Sequence, residues 1–230
     1  MLSKYIKPFI GLFLLVLTFE SYAGVVIGGT RFIYDENRKE LSVSIRNPDN
    51  SPYLIQSWLS NIEQQEARDI PFIVTPPLFR LNADSSSALR IVKTGNLPDN
   101  RESVFWLNIK SIPTSDPNAK NQLNISVNSR VKLFYRPASL TTQDAVGSYK
   151  KVSFYRAGNQ VFAKNPTPFY ISMGSLNING RELPNPGMIA PMSEKSWSIP
   201  AVASSSELQI NWSVINDYGA RTAVNTHVKK

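Results

Sequence analysis

Few residues of this chain have the types and spacing that chemistry requires. Lys132 stands between Val131 and Leu133, a lone cation between apolar neighbours. It reads either as a solvated charge that keeps a sheet edge from aggregating or as an anchor for an anion, and the anchor needs a second cation beside it. Arg31, in Arg31-Phe32-Ile33-Tyr34, is the candidate, against the plainer reading of an exposed surface charge. Nucleophilic and metal chemistry find little to work with. The chain has no cysteine, which removes thiol chemistry and cysteine-ligated metals. His227 is the only histidine and lies close to the C-terminal end, where it reads as a surface residue of a terminal strand. Gly28-Gly29 lacks the strand–turn–helix spacing of a phosphate loop and reads as backbone flexibility before a strand.

The element that must position Lys132 is the stretch 122–137, QLNISVNSRVKLFYRP, which reads as one long strand ending at a proline hinge. Leu123, Ile125 and Val127 alternate with Gln122, Asn124, Ser126 and Asn128, and the pattern continues through Val131 and Leu133. A strand well beyond the usual length of about five or six residues is expected to serve more than its own domain. Other alternations predict further strands: Leu41, Val43 and Ile45; residues 53–59 with Trp58 as a core candidate; 72–75; 89–92; and 104–109. Pro76-Pro77 cannot continue a central ladder, so the chain must bend or change sheets there. Residues 138–148 read as a linker, after which strands restart at 152–155, 161–163 and 170–173. Leu176 and Ile178 lead into the Asn179-Gly180 hairpin signal, and Leu208, Ile210, Trp212 and Val214 close the pattern. With no useful helical period, the chain is all-β, two β-sandwiches in tandem over 24–140 and 141–230. Two sequons, at Asn124 and Asn211, fall within predicted strands and read as chance matches.

The 230 residues carry a net charge of +8. Lys4 and Lys7, an apolar run over 9–19 and Ser21-Tyr22-Ala23 predict a secretory signal peptide over 1–23, cleaved after Ala23. The run is too short to span a bilayer. Its removal takes Lys4, Lys7 and Glu20 and leaves the chain strongly basic. Export and the scatter of the basic residues argue against nucleic acid and for a protein or surface partner.

Eight stretches in order resemble the PapD-like periplasmic chaperones of the bacterial chaperone–usher pathway. They are Thr30-Arg31; Pro52-Tyr53-Leu54 before Trp58; Thr75-Pro76-Pro77 with Arg80-Leu81; and Arg101-Glu102-Ser103 before Val104-Phe105-Trp106-Leu107-Asn108. The others are Ile112-Pro113; Lys132-Leu133-Phe134-Tyr135-Arg136-Pro137; Asn165-Pro166-Thr167-Pro168-Phe169-Tyr170; and Ile215-Asn216-Asp217-Tyr218-Gly219. The resemblance implies two immunoglobulin-like domains set as an L or boomerang, without enzymatic activity, cofactor or metal. It implies that the protein binds pilus subunits by lending a strand to their incomplete sandwiches and passes them to an outer-membrane usher. Residue by residue, Arg31 and Lys132 match the pair that grips the subunit's C-terminal carboxylate. Leu123, Ile125 and Val127 match the donor residues, and Glu102, Arg136 and Asp217 match the charges that bridge the domains. The implied setting is the periplasm, and a self-capping homodimer of the free protein is a further expectation. Three departures stand out: there is no disulfide, the connection before the donor stretch is short, and Ala220 replaces the second glycine often found after Tyr-Gly.

Two readings of other classes compete. A carbohydrate-binding or adhesin sandwich would share the strands and aromatics, but would have no need of the Arg31, Lys132 and Glu102–Arg136–Asp217 sets. A glycosidase would use Glu102 and Asp217 as its two carboxylates, against which Arg136 is expected to keep both ionised where a general acid must hold its proton.

Overall fold

The computed structural model describes residues 24–62, 70–115, 121–199 and 207–229. The predicted signal peptide lies outside the described residues. The first nine strands are β1 (Val26–Ile27), β2 (Arg31–Asp35), β3 (Leu41–Asn47), β4 (Tyr53–Asn61), β5 (Phe72–Thr75), β6 (Leu78–Leu81), β7 (Ser85–Lys93), β8 (Ser103–Pro113) and β9 (Val127–Arg136). They form two facing sheets, ordered β1-β3-β7-β5 and β2-β9-β8-β4-β6.

The double proline does change sheets. β5 pairs with β7 in the first sheet and β6 pairs with β4 in the second. The carbonyls of the crossing are satisfied by Ser57, whose hydroxyl donates to Pro76 O at 2.8 Å and whose N–H donates to Pro77 O at 2.9 Å. The core between the sheets holds Val43, Ile45, Ile55, Leu89, Ile91, Leu107 and Leu133, all fully buried. Phe72 packs edge-on against Tyr34 and Phe105 at 5.2 and 5.5 Å between centroids. Trp58 is not among these residues. It shares the outward phase of β4 with Leu54 and Gln56 and is half-buried, while Ile55, Ser57 and Leu59 take the inward phase.

The strand expected over the whole of 122–137 begins only at Val127. Its ladder partner β8 runs out there, with Ser111 opposite Val127 and β8 ending at Pro113, which has no N–H to donate. Residues 122–126 are exposed and belong to no ladder, so the Asn124 sequon is not in a strand. On its other side, β9 pairs in parallel with β2 over residues 132–136 alone. Among the described residues, the β2-side edge of β9 is therefore unpaired from Val127 to Val131.

Pro137 is buried, and the linker after it is more ordered than its composition suggested. A short helix, α1 (Thr142–Ala145), starts with a reciprocal cap: the Thr141 hydroxyl accepts the Asp144 N–H, and the Asp144 carboxylate accepts the Thr141 N–H and hydroxyl. A 3-10 turn, Ser148–Lys151, leads into the second domain.

That domain contains β10 (Ser153–Ala157), β11 (Gln160–Asn165), β12 (Ile171–Ile178), β13 (Arg181–Glu182), β14 (Met188–Ile189), β15 (Ser193–Ser198), β16 (Glu207–Ile215) and β17 (Arg221–Lys229). One sheet is β10-β11-β15 and the other β13-β12-β16-β17, with β14 also on β12. Asn179 and Gly180 both adopt positive φ, 51° and 82°, the backbone of a tight hairpin between β12 and β13. A second core forms around Val161, Ile171, Leu176, Ile210 and Trp212, with Phe154 edge-on to the indole at 5.4 Å.

Candidate functional site

The alternation of β9 divides its labour. Leu133 and Tyr135 point into the first core, so Lys132, Phe134 and Arg136 point out of it, toward the second domain. Arg136 is nearly buried there, with 4% of its side chain exposed. Its Nε donates to Glu102 Oε1 at 2.9 Å, Nη2 lies 2.7 Å from the same oxygen, and Nη1 donates to Asp217 Oδ2 at 2.8 Å. The guanidinium stands 5.5 Å over the Phe169 ring. Glu102 completes the joint: its Oε2 accepts the Tyr170 N–H at 2.8 Å, and its own N–H donates to Pro168 O at 2.9 Å. Glu102, Arg136 and Asp217 thus meet across the domain junction. Burial lowers the Arg136 pKa, but Asp217 and Glu102 outweigh it and the net direction is up.

Burial pushes the Glu102 carboxyl above its usual range, against the pull of Arg136 and the Tyr170 N–H. The ion pair with Arg136 is one argument against a glycosidase. The stronger argument is occupancy, because both Glu102 oxygens are already engaged and the side chain is 3% exposed, leaving no room for a glycosidic oxygen.

Arg31 and Lys132 are register partners in the parallel β2–β9 pair, so their side chains share a face. Both are half-buried. Arg31 Nη1 donates across the domain junction to Ile215 O at 2.9 Å, its guanidinium lies 5.6 Å over the Phe134 ring, and its Nε is buried without a partner. Burial lowers its pKa, offset in part by Asp217 and Glu102. Lys132 is differently placed. Among the described residues it forms no ion pair; its ammonium lies 5.8 Å over the Trp106 ring, whose centroid the Arg130 guanidinium also approaches at 4.7 Å. Burial lowers its pKa, and the charges of Arg31 and Lys195 lower it further. It opens onto two cavities between the domains, one of about 850 Å³ shared with Asn61, Ile62, Trp106, Tyr170 and Lys195, the other of about 470 Å³ beside Arg221. A half-buried cation with cationic neighbours and, among the described residues, no counter-ion could accept an anion.

Leu123, Ile125 and Val127 lie elsewhere, with exposures of 83%, 64% and 53%. Val127 is five residues from Lys132, roughly 17 Å along the strand. The structure thus brings Arg31 to Lys132, and Glu102 and Asp217 to Arg136, and leaves Val127 at the far end of β9 with Leu123 and Ile125 in the exposed stretch before it. Sequence reasoning missed Trp106, Tyr170 and Lys195 as cleft residues. Lys195 had a signal, a lysine on the inward phase of β15. The His227 side chain lies outside the described residues. Among the described residues no group of His, Asp or Glu is placed to hold a metal, and no helix is long and apolar enough to cross a membrane.

Two immunoglobulin-like sandwiches joined through a charge triad in which Arg136 and Glu102 are buried and Asp217 is half-buried, with a cationic cleft between them, define the class of protein. The family model "Pili and flagellar-assembly chaperone, PapD N-terminal domain" matches residues 24–141, and "Pili assembly chaperone PapD, C-terminal domain" matches residues 147–226. Chaperone protein FimC of Escherichia coli strain K12 is 41% identical over 211 residues, covering 90% of this chain and 85% of that one. Chaperone protein LpfB of Salmonella typhimurium is 39% identical over 214 residues, covering 90% of each. Among solved structures, the Salmonella enterica SafA pilin in complex with the SafB chaperone superposes with a TM-score of 0.77 at 33% identity, covering 92% of this chain and 99% of its counterpart. The chain belongs to the PapD family of pilus-assembly chaperones, which are not enzymes.

Proposed function

We propose that this pilus chaperone binds its subunits by lending them β9 and its exposed lead-in, while Arg31 and Lys132 hold the subunit's terminal carboxylate. The observation that carries this reading is the state of β9 itself. Among the described residues, its outer edge offers unpaired backbone groups from Val127 to Val131, Leu123, Ile125 and Val127 form an exposed apolar row at its start, and a cation without a counter-ion stands at its other end. Free edges of this kind are ordinarily a liability, and an incomplete sandwich with a missing strand satisfies them by ladder pairing. Glu102, Arg136 and Asp217 then fix the angle at which the second domain closes the cleft.

The finer assignments follow from this reading. The protein acts in the periplasm after cleavage of residues 1–23, hands subunits to an outer-membrane usher, and caps its own free edge by homodimer formation when no subunit is present. The test is co-expression with a pilin and usher from the same genome, followed by periplasmic fractionation. A soluble one-to-one chaperone–pilin complex that transfers its pilin to the usher supports the proposal; a pilin equally soluble without the chaperone overturns it.

A further inference from the structure

Lys195 occupies an unusual phase for a surface lysine. In β15 the half-buried residues are Ser193, Lys195 and Trp197, and Trp197 packs against the second core, while Glu194, Ser196 and Ser198 face outward. The Lys195 side chain runs across Gly187, where a Cβ would stand 2.5 Å from Nζ, so any other residue at 187 would displace the ammonium. It reaches the same cavity of about 850 Å³ that Lys132 and Trp106 line from the first domain and Tyr170 from the second. No ion pair neutralises Lys195 among the described residues. Its sequence neighbour Glu194 faces away and is held by the Tyr155 hydroxyl at 2.6 Å and by Lys164 at 3.6 Å. Burial lowers the Lys195 pKa with no carboxylate opposing it, and its charge adds to the pressure on Lys132. Two ammonium groups, one from each domain, thus line one space, and among the described residues neither forms an ion pair.

We infer that Lys195 is a third contact for the anionic end of the bound chain, so that a single carboxylate is held from both domains at once. The inference rests on the anchor reading of Arg31 and Lys132. A carboxylate offers about four lone-pair sites over two oxygens, so it can accept from Lys195 on one side while Lys132 and the guanidinium, which also donates to Ile215 O, approach from the other. A lysine suits the position, because its flexible stem lets a point charge follow the ligand, whereas a planar guanidinium would need a fixed approach. The structural consequence is that the anion bridges the cleft, tying β15 of the second domain to β9 of the first.

Titration calorimetry on the mature chain tests this with a synthetic peptide of alternating apolar residues ending in a free carboxylate, and with the same peptide amidated. Lys195→Met keeps the apolar stem and is expected to weaken the free acid about tenfold, the loss of one charge-assisted hydrogen bond, without affecting the amide. Lys195→Arg is expected to retain most of the preference for the acid. The affinity of the parent for the acid is expected to fall more steeply with salt than that of Lys195→Met. If Lys195→Met binds both peptides as the parent does while Lys132→Met loses the acid, the third contact is overturned and the anchor stands. If the parent itself binds acid and amide equally, the anchor reading fails and this inference fails with it.

Discussion

Arg31 and Lys132 stand in register across a parallel strand pair, yet among the described residues only the Arg31 side chain donates a hydrogen bond to the protein, to Ile215 O in the other domain. The two cations therefore differ in what they do for the free chaperone. Lys132→Ala removes a charge that repels Arg31 and Lys195 and has no counter-ion among the described residues, so thermal unfolding is expected to be unchanged or slightly raised. Binding of a carboxylate-terminated subunit is expected to weaken by about 2–5 kcal/mol. Arg31→Ala is expected to lose subunit binding and, in addition, about 1 kcal/mol of stability with the junction hydrogen bond. Calorimetric unfolding beside pilin co-purification separates the two effects, and equal stability losses in both variants would contradict the asymmetry.

The second prediction concerns the junction. Arg136→Ala leaves Glu102 buried and uncompensated, which is expected to cost about 3–5 kcal/mol. Arg136→Met with Glu102→Gln removes both charges and is expected to recover part of that loss, because burial already disfavours the Glu102 carboxylate. Urea unfolding of the parent and the two variants measures this. A double variant no more stable than Arg136→Ala would show that packing, not stranded charge, sets the penalty.

The third separates the two phases of the donor stretch. Ile125→Asp would place a charge where the proposal puts an apolar pocket, and the row it interrupts is worth roughly 1.5–3 kcal/mol per fully buried side chain. Asn124→Asp changes the opposite phase, where the amide donates to the Ser115 hydroxyl at 2.9 Å and a carboxylate can accept from it instead. Both chains are expected to fold, since both side chains are exposed in the free protein. Pull-down of co-expressed pilin is expected to drop sharply for Ile125→Asp and little for Asn124→Asp; equal yields would remove the assigned phase.

The fourth is a pH dependence. The Lys93 ammonium holds the Glu36 carboxyl down at about 2, helped by the Tyr135 hydroxyl and the Ala138 N–H. Because the folded state binds this proton less readily than the unfolded chain, the stabilisation is complete above about pH 4.5 and is lost as pH falls toward 2. The pair is partly solvated, so the effect is expected to be about 1 kcal/mol or less. Glu36→Gln is expected to flatten the unfolding temperature between pH 4.5 and 2.5 relative to the parent; parallel curves would show that Glu36 does not contribute.

Legibility varied with the physics of each element. β3, β4 and β16 were visible because one face of each is buried and the other wet, and the sheet change at Pro76-Pro77 followed from the missing N–H groups. β1, β13 and β14, of two residues each, have no period to detect. β17 is mostly polar and is defined by its nine-residue pairing with β16, a long-range contact that local pattern does not carry. β9 starts later than the pattern implies because alternation continues through 122–126 although, among the described residues, no neighbouring strand reaches that far. At the site, Arg31 and Lys132 were legible as candidates and, through the resemblance, as a pair. Trp106 and Lys195 were not, since only the docking of the two domains makes one cavity of them.

The pleat of β9 has a further consequence once one end of a partner is fixed. For a chain whose terminus is held at Lys132, the distance from that terminus to each side chain meeting Val127, Ile125 and Leu123 becomes a measured quantity, counted off in steps of about 3.3 Å. A partner tail longer or shorter by a single residue would present every side chain to the opposite face. β9 would then act as a measuring rod as well as a lent strand, rejecting chains of suitable composition whose apolar residues lie at the wrong count from their end.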